Sequence, residues 1–249
     1  MRKIFFSMLV LCGLTTAMAA DYTIDYTGLT SDYSNLLPSD VYEKYSISQQ
    51  IYTAAELQKI GATAGNLTGI SFIAAEAERT ITRNWRVYVA TTTQSDFKTE
   101  GFVAMKTEDQ VFAGEVTTLP LDIYNMDDCW YTIHFSRPVA WDGNRNLLIC
   151  VVDETGTILS RLNHLGVYAS DSKRAASHSG ATAYDATVPP AAPKVTRDMR
   201  TAITFHIADP ATGISAAYAT PSIRKQMVNG ALIIQRDGKI YTAEGALVK

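Results

Sequence analysis

The chain has 249 residues, 47% of them hydrophobic and 19% charged, with 15 Gly, 8 Pro and three Cys, and its 22 basic against 25 acidic side chains give a formal charge of −3. That apolar content excludes a disordered chain, the Gly and Pro counts exclude a collagen-like one, and an acidic balance leaves no electrostatic basis for binding nucleic acid.

At the N-terminus Arg2 and Lys3 precede an apolar stretch over 4–14, and Ala17-Met18-Ala19 places small residues where a signal peptidase reads, so 1–19 is expected to be a secretory signal peptide. The stretch falls short of the roughly 20 apolar residues that cross a bilayer, and no later segment approaches that length; no membrane span is expected. Cys12 follows Leu11 inside the apolar stretch, which does not fit a lipoprotein cleavage site. Loss of Arg2 and Lys3 with the leader deepens the net charge to −5.

From residue 20 the period is that of strands. Trp85, Val87 and Val89 alternate with polar neighbours, and so do Ile203, Phe205 and Ile207, the pattern of half-buried strands. Similar runs lie at 67–73, 110–116, 130–135, 147–152 and 166–169, punctuated by Pro120, Asp142-Gly143-Asn144 and Glu154-Thr155-Gly156. Only 53–60 (TAAELQKI) reads as a helical turn or two. The expected fold is therefore all-β, an antiparallel, jelly-roll-like β-sandwich over 20–208, since a βαβ fold needs long amphipathic helices between its strands. Residues 169–197, rich in Ala, Ser, Thr and Pro, read as a long loop. Residues 209–221 read as a linker. Within 222–249, two strand-like runs flank Asp237-Gly238, the signal of a short C-terminal β-hairpin with a type I′ turn.

Two cysteines remain in the exported part, Cys129 and Cys150, each in a strand-like segment. A disulfide between them requires Cα atoms within about 7 Å; two small buried thiols are the alternative.

The C-terminal segment, with Asn229-Gly230, an apolar strand, Arg236, the Asp237-Gly238 turn, Tyr241, Gly245 and a closing Lys249, resembles a type IX secretion C-terminal sorting signal. That resemblance implies export across the outer membrane by the type IX secretion machinery, with release or retention at the cell surface. Over 45–209, the stretches Gln49-Gln50-Ile51-Tyr52, Gly69-Ile70-Ser71-Phe72, Asn84-Trp85-Arg86-Val87-Tyr88 and Trp141-Asp142-Gly143-Asn144 resemble an adhesin-like β-sandwich module of surface and secreted proteins of Gram-negative anaerobes. The resemblance implies adhesion or ligand binding and carries no chemistry of its own.

Catalytic signatures of zinc proteases, serine hydrolases and nucleotide-binding enzymes are absent from the sequence. His134 and His206 lie in strand-like runs opposite apolar neighbours and His164 and His178 in expected loops; they read as solvent-facing, with no metal site. Asp142, Asn144, Asn146 and Asp153 imitate calcium-loop spacing, but Leu147 stands where such a loop needs glycine, so a β-turn is expected. Glu76, Glu78, Glu100, Glu108 and Glu115 offer no spacing that selects a catalytic pair. Exposed aromatics suit sugar rings or protein partners, and Trp141, Tyr168 and Tyr184, at or near expected loops, are the candidate binding residues. The sequence thus reads as an exported, non-enzymatic binding protein without cofactor, whose ligand is a glycan or a protein. A small secreted hydrolase and a structural component of an extracellular assembly are the alternatives.

Overall fold

The computed structural model describes residues 19–24, 37–77, 80–118, 130–158, 163–165, 167–169, 172–208, 224–228, 231–236 and 239–242. The chain divides into two compact units, Met1–Thr212 and Gly213–Lys249. Most of the leader, Cys129 and the 209–221 linker lie outside the described residues, as do Asn229, Gly230, Asp237, Gly238 and Gly245 of the sorting-like segment.

The first unit is an antiparallel β-sandwich. Its strands are β1 (Ala19–Ile24), β2 (Tyr45–Tyr52), β3 (Gly65–Ala77), β4 (Ile81–Thr92), β5 (Gln110–Thr118), β6 (Trp130–Trp141) and β7 (Asn146–Asp153), then the shorter β8 (Asn163–Leu165), β9 (Val167–Ala169), β10 (Ala175–Gly180), β11 (Val195–Arg197) and β12 (Met199–Thr201), and finally β13 (Ile203–Ala208). One sheet runs β1-β13-β3-β6, with β8 also paired to β3; the other runs β11-β10-β2-β7-β4-β5, and β9 pairs with β12. The orders β1-β13-β3-β6 and β2-β7-β4-β5 are those of a jelly roll, two interleaved Greek keys in which the chain passes from one sheet to the other at most connections.

Alternation decides what lies between the sheets. From the β1–β6 sheet come Ile24, Ile203, Phe205, Ile70, Phe72, Tyr131 and Ile133; from the other come Tyr52, Trp85, Val87, Val89, Leu147, Ile149 and Val151, all in one buried cluster. The β2–β7 sheet is apolar on its other face too: Ile47, Ile51, Tyr88, Leu148, Cys150 and Val152 form a second cluster with Phe97, Met105 and Ala186 from covering loops. A strand buried on both faces loses its alternation, and β7 accordingly reads as one continuous apolar run.

The expected helical turn is α1 (Ala54–Lys59). Thr53 caps it: its hydroxyl accepts the Glu56 N–H at 3.3 Å, and the Glu56 carboxylate accepts the Thr53 N–H at 2.9 Å. A reciprocal cap of this kind is worth about 1 kcal/mol, enough to hold so short a helix in place.

Two expectations change. Residues 169–197 are not one loop, because Ala175–Gly180 forms β10, paired with β2 along its length, and Val195–Arg197 forms β11. His178 therefore stands in a strand, and His164 stands in β8. Ala, Ser and Gly have little strand preference of their own; β10 forms because its small side chains Ala175, Ala176 and Ser177 fit a buried position beside β2. The C-terminal hairpin is part of a three-stranded antiparallel sheet, β14 (Arg224–Val228), β15 (Ala231–Arg236) and β16 (Lys239–Thr242). Val228 faces Ala231 and Arg236 faces Lys239, so the paired strands are two residues apart in sequence at each connection.

Candidate functional site

The three aromatic residues expected at a binding surface do not converge. Trp141, at the end of β6, is only 2% exposed and belongs to the cluster between the sheets. Its indole N–H donates to the Arg145 carbonyl at 2.7 Å, the usual requirement of a buried tryptophan. An exposed ring at this position is thus corrected to a core one: the turn after β6 folds under its own tryptophan. Tyr184 packs against the second cluster, on the opposite side of the β2–β7 sheet, with its hydroxyl 2.9 Å from His178 Nδ1. Tyr168 stands in β9, opposite Arg200 in register.

The turn over 142–145 is the expected β-turn. Asp142 accepts the N–H groups of Asn144 and Arg145, each at 2.9 Å, and pairs with the Arg145 guanidinium at 2.7 Å, which together hold its carboxyl well below the usual range. Gly143 takes the left-handed conformation at φ +77° that this turn needs. Asp153 is buried apart from it and accepts from Arg83 (2.7 Å), Trp85 (3.1 Å), Ser39 and, through its other oxygen, Thr155. So many donors on one carboxylate mark a structural ion pair. Among the described residues no group of three or more His, Cys, Asp or Glu side chains is arranged to hold a metal ion.

A second buried tie joins α1 to β12. The Arg200 side chain is fully buried, lies 4.9 Å from the centre of the Tyr52 ring and donates to the Glu56 carboxylate and the Ile51 carbonyl. Burial pushes the Glu56 carboxyl upward, but the Arg200 hydrogen bond and charge and the capping bonds from Thr53 outweigh it and hold the group down at about 2. Arg174 donates to the same carboxylate at 2.9 Å.

Cys150 is a free thiol, fully buried in the second cluster. Burial raises it to about 12, which keeps the thiol protonated at neutral pH. Of the two cysteine readings, Cys150 follows the one of a buried thiol.

Sequence reasoning missed two arrangements. The first is a polar row across the outer face of the β1–β6 sheet. Asp21 Oδ1 lies 2.6 Å from His206 Nδ1, His206 Nε2 lies 2.7 Å from Ser71 Oγ, and Ser71 Oγ lies 2.7 Å from Thr132 Oγ1. Gly69 makes room for the imidazole, because a Cβ there would stand 3.4 Å from the ring and 2.9 Å from the Ile133 carbonyl. His134, beside Gly69 in register, is pushed below its usual range by desolvation and by the neighbouring His206. Serine, histidine and aspartate in sequence form the hydrogen-bond chain of a nucleophilic triad, but there the acid is buried and the hydroxyl faces the substrate. Here the order is reversed: Ser71 is 3% exposed, whereas the Asp21 side chain is 64% exposed. The period of 2 places each member on the outer face, but only the strand order brings Asp21 and His206, 185 positions apart, together.

The second is a groove of about 330 Å³ beside β4 and β6, walled by Val89, Leu148, Val103, Met105 and Val139 and edged by Lys106, Asp109, Arg137 and Arg145. Its size falls at the small end of ligand pockets, roughly 300–1,000 Å³. No signal in the sequence brings 103–106 over the end of β6, because the loop that does so has no periodicity. Among the described residues no helix is long and apolar enough to cross a membrane. The chain matches no protein-family model and no curated protein.

Proposed function

We propose that this chain is an exported, non-enzymatic binding protein of the adhesin-like class, carried outside by the type IX route and released or kept at the cell surface, with a glycan or a protein as its ligand. The observation that carries the reading is the division of the chain into a jelly roll and a separate compact unit whose paired strands bear the sorting-like residues Arg236 and Tyr241. A recognition element for a secretion machine has to present itself independently of its cargo, and a small unit with its own hydrogen-bonded sheet meets that requirement. The jelly roll supports the binding half of the reading through its sidewall groove and through a hydroxyl row whose serine is buried under its neighbours on the outer face.

The test is to express tagged full-length protein and a form lacking 222–249 and to fractionate the cells. The full chain is expected outside and the truncated one in the periplasm; equal amounts outside would sink the sorting assignment.

A secreted hydrolase is the second reading, favoured by the Asp21–His206–Ser71 chain. A fluorophosphonate probe that labels the native protein and fails to label Ser71→Ala would establish it in place of the first.

A further inference from the structure

The groove beside β4 and β6 combines apolar side chains with three cations, of which Arg145 is paired to Asp142. Half-buried Val103 and Val139 give it an apolar side, with buried Leu148 and Met105 behind them, and Thr91 is among its lining residues. Arg145 reaches the rim with its Nε held by Asp142, which fixes the direction of the guanidinium and leaves its terminal nitrogens for a ligand. The Arg137 guanidinium and the Lys106 ammonium have no hydrogen-bond or ionic partner among the described residues. The one carboxylate in the lining, Asp109, is turned onto the backbone, accepting the Lys106 N–H at 2.8 Å.

We propose that this groove is the ligand site of the protein and takes a carboxylate-bearing sugar, a uronate-class unit at or within a glycan; the proposal rests on the reading of the chain as a binding protein and names its ligand. Arg137 and Arg145 receive the carboxylate. A planar guanidinium donates to two carboxylate oxygens at once and keeps its charge at every physiological pH. Lys106 and Thr91 serve the ring hydroxyls, and Val103 and Val139 take the ring's C–H face. A neutral sugar lacks the group for which the cations are placed. Lys106, Arg137 and Arg145 outnumber the lining Asp109 and the Asp142 paired to Arg145, which leaves a net positive charge at the recess in a chain of formal charge −3.

The experiment is titration of the purified full chain with trigalacturonate, its methyl ester and benzoate, followed by calorimetry. Saturable binding of trigalacturonate that weakens with salt is expected, with the methyl ester about tenfold weaker or worse. The variant Lys106→Gln/Arg137→Gln is expected to lose about tenfold or more while keeping the native circular dichroism and Tm. Methyl ester binding as tight as the acid, or undiminished binding by the variant, would overturn the site. Benzoate binding as tight as trigalacturonate would overturn the sugar assignment. A glycan array run on both forms separates this proposal from the broader one: glycan ligands retained equally by native protein and variant remove the groove and keep the binding protein, whereas an array empty for both counts against each.

Discussion

The two sheets of the jelly roll treat their outer faces in opposite ways. On the β1–β6 sheet the outer face carries Asp21, Thr23, Thr204, His206, Ser71 and Thr132, joined side chain to side chain across four strands. On the β2–β7 sheet the outer face is apolar and lies under loops. Phe97 and Met105 reach down from one covering segment and Ala186 from another, and the Met105 N–H to Ala186 carbonyl bond at 2.9 Å ties the two together. Gln49, fully buried in β2, clasps the first segment from below, donating to the Val103 carbonyl at 2.6 Å and accepting its N–H at 2.8 Å. Irregular backbone over an apolar sheet needs such partners, because its polar groups have no neighbouring strand to satisfy them. The contrast shows how a sandwich of this length gains a second core without a third sheet, and why a recess forms at the edge of the covered face rather than on the open one.

The contrast can be broken most forcefully at Phe97. Phe97→Ala removes a ring that is 2% exposed from the second cluster and is expected to cost about 3–5 kcal/mol in denaturant unfolding. The matched change on the open face, Thr132→Ala, removes one cross-strand hydroxyl bond and is expected to cost about 1 kcal/mol or less. Equal losses at the two positions would show that both faces are covered alike.

Acid should act through Glu56, whose helix packs on the cluster between the sheets. Its carboxyl is held at about 2 against an ordinary 4.5, so the stabilisation it brings is complete above the ordinary value and is lost as pH falls from there toward 2. The shift corresponds to at most ~3 kcal/mol at neutral pH, and solvent screening of this part-exposed carboxylate brings it to about 1–2 kcal/mol. Glu56→Gln is expected to lower stability at pH 7 by a similar amount and to flatten the acid limb of a stability-against-pH profile; an unchanged acid limb would show that the carboxylate is not ionically tied. Its partner Arg200, fully buried, is what makes the tie costly to break.

The smallest effect is chemical rather than energetic. Cys150 is expected to escape alkylation at mildly alkaline pH in the native protein and to react on unfolding, as peptide mass mapping would read; rapid native labelling would mean that the covering loops open readily.

Much of the fold was legible in the sequence because it rests on local pattern. Trp85, Val87 and Val89 point between the sheets as their alternation requires, and Thr53 with Glu56 announces the one described α-helix. Of the two pairings in the C-terminal unit, Val228 with Ala231 and Arg236 with Lys239, only the second is read as a hairpin from the sequence. The long apolar run of β7 was read as a strand, but its second buried face was not, since a run without alternation says that both sides are covered without saying by what. β10 stayed hidden because Ala-Ala-Ser-His-Ser-Gly has no strand signature, and its strand character comes from the partner beside it.

The candidate sites were less legible, for a related reason. Trp141 looked exposed because it borders a turn, yet the turn satisfies its indole from within and leaves the ring in the core. Composition, strand period and turn chemistry, which depend on residues a few positions apart, are what the sequence by itself determined: an all-β chain with an apolar N-terminal stretch and strand-like runs near its C-terminus. The tertiary structure decided what depends on strand order and on loops without periodicity. It set Asp21 beside His206 and Ser71, placed Lys106, Arg137 and Arg145 around one groove, and turned Trp141 inward. Those contacts join residues far apart in the chain, and no short-range preference specifies them; they follow from which sheet edges pair and which apolar faces must be covered.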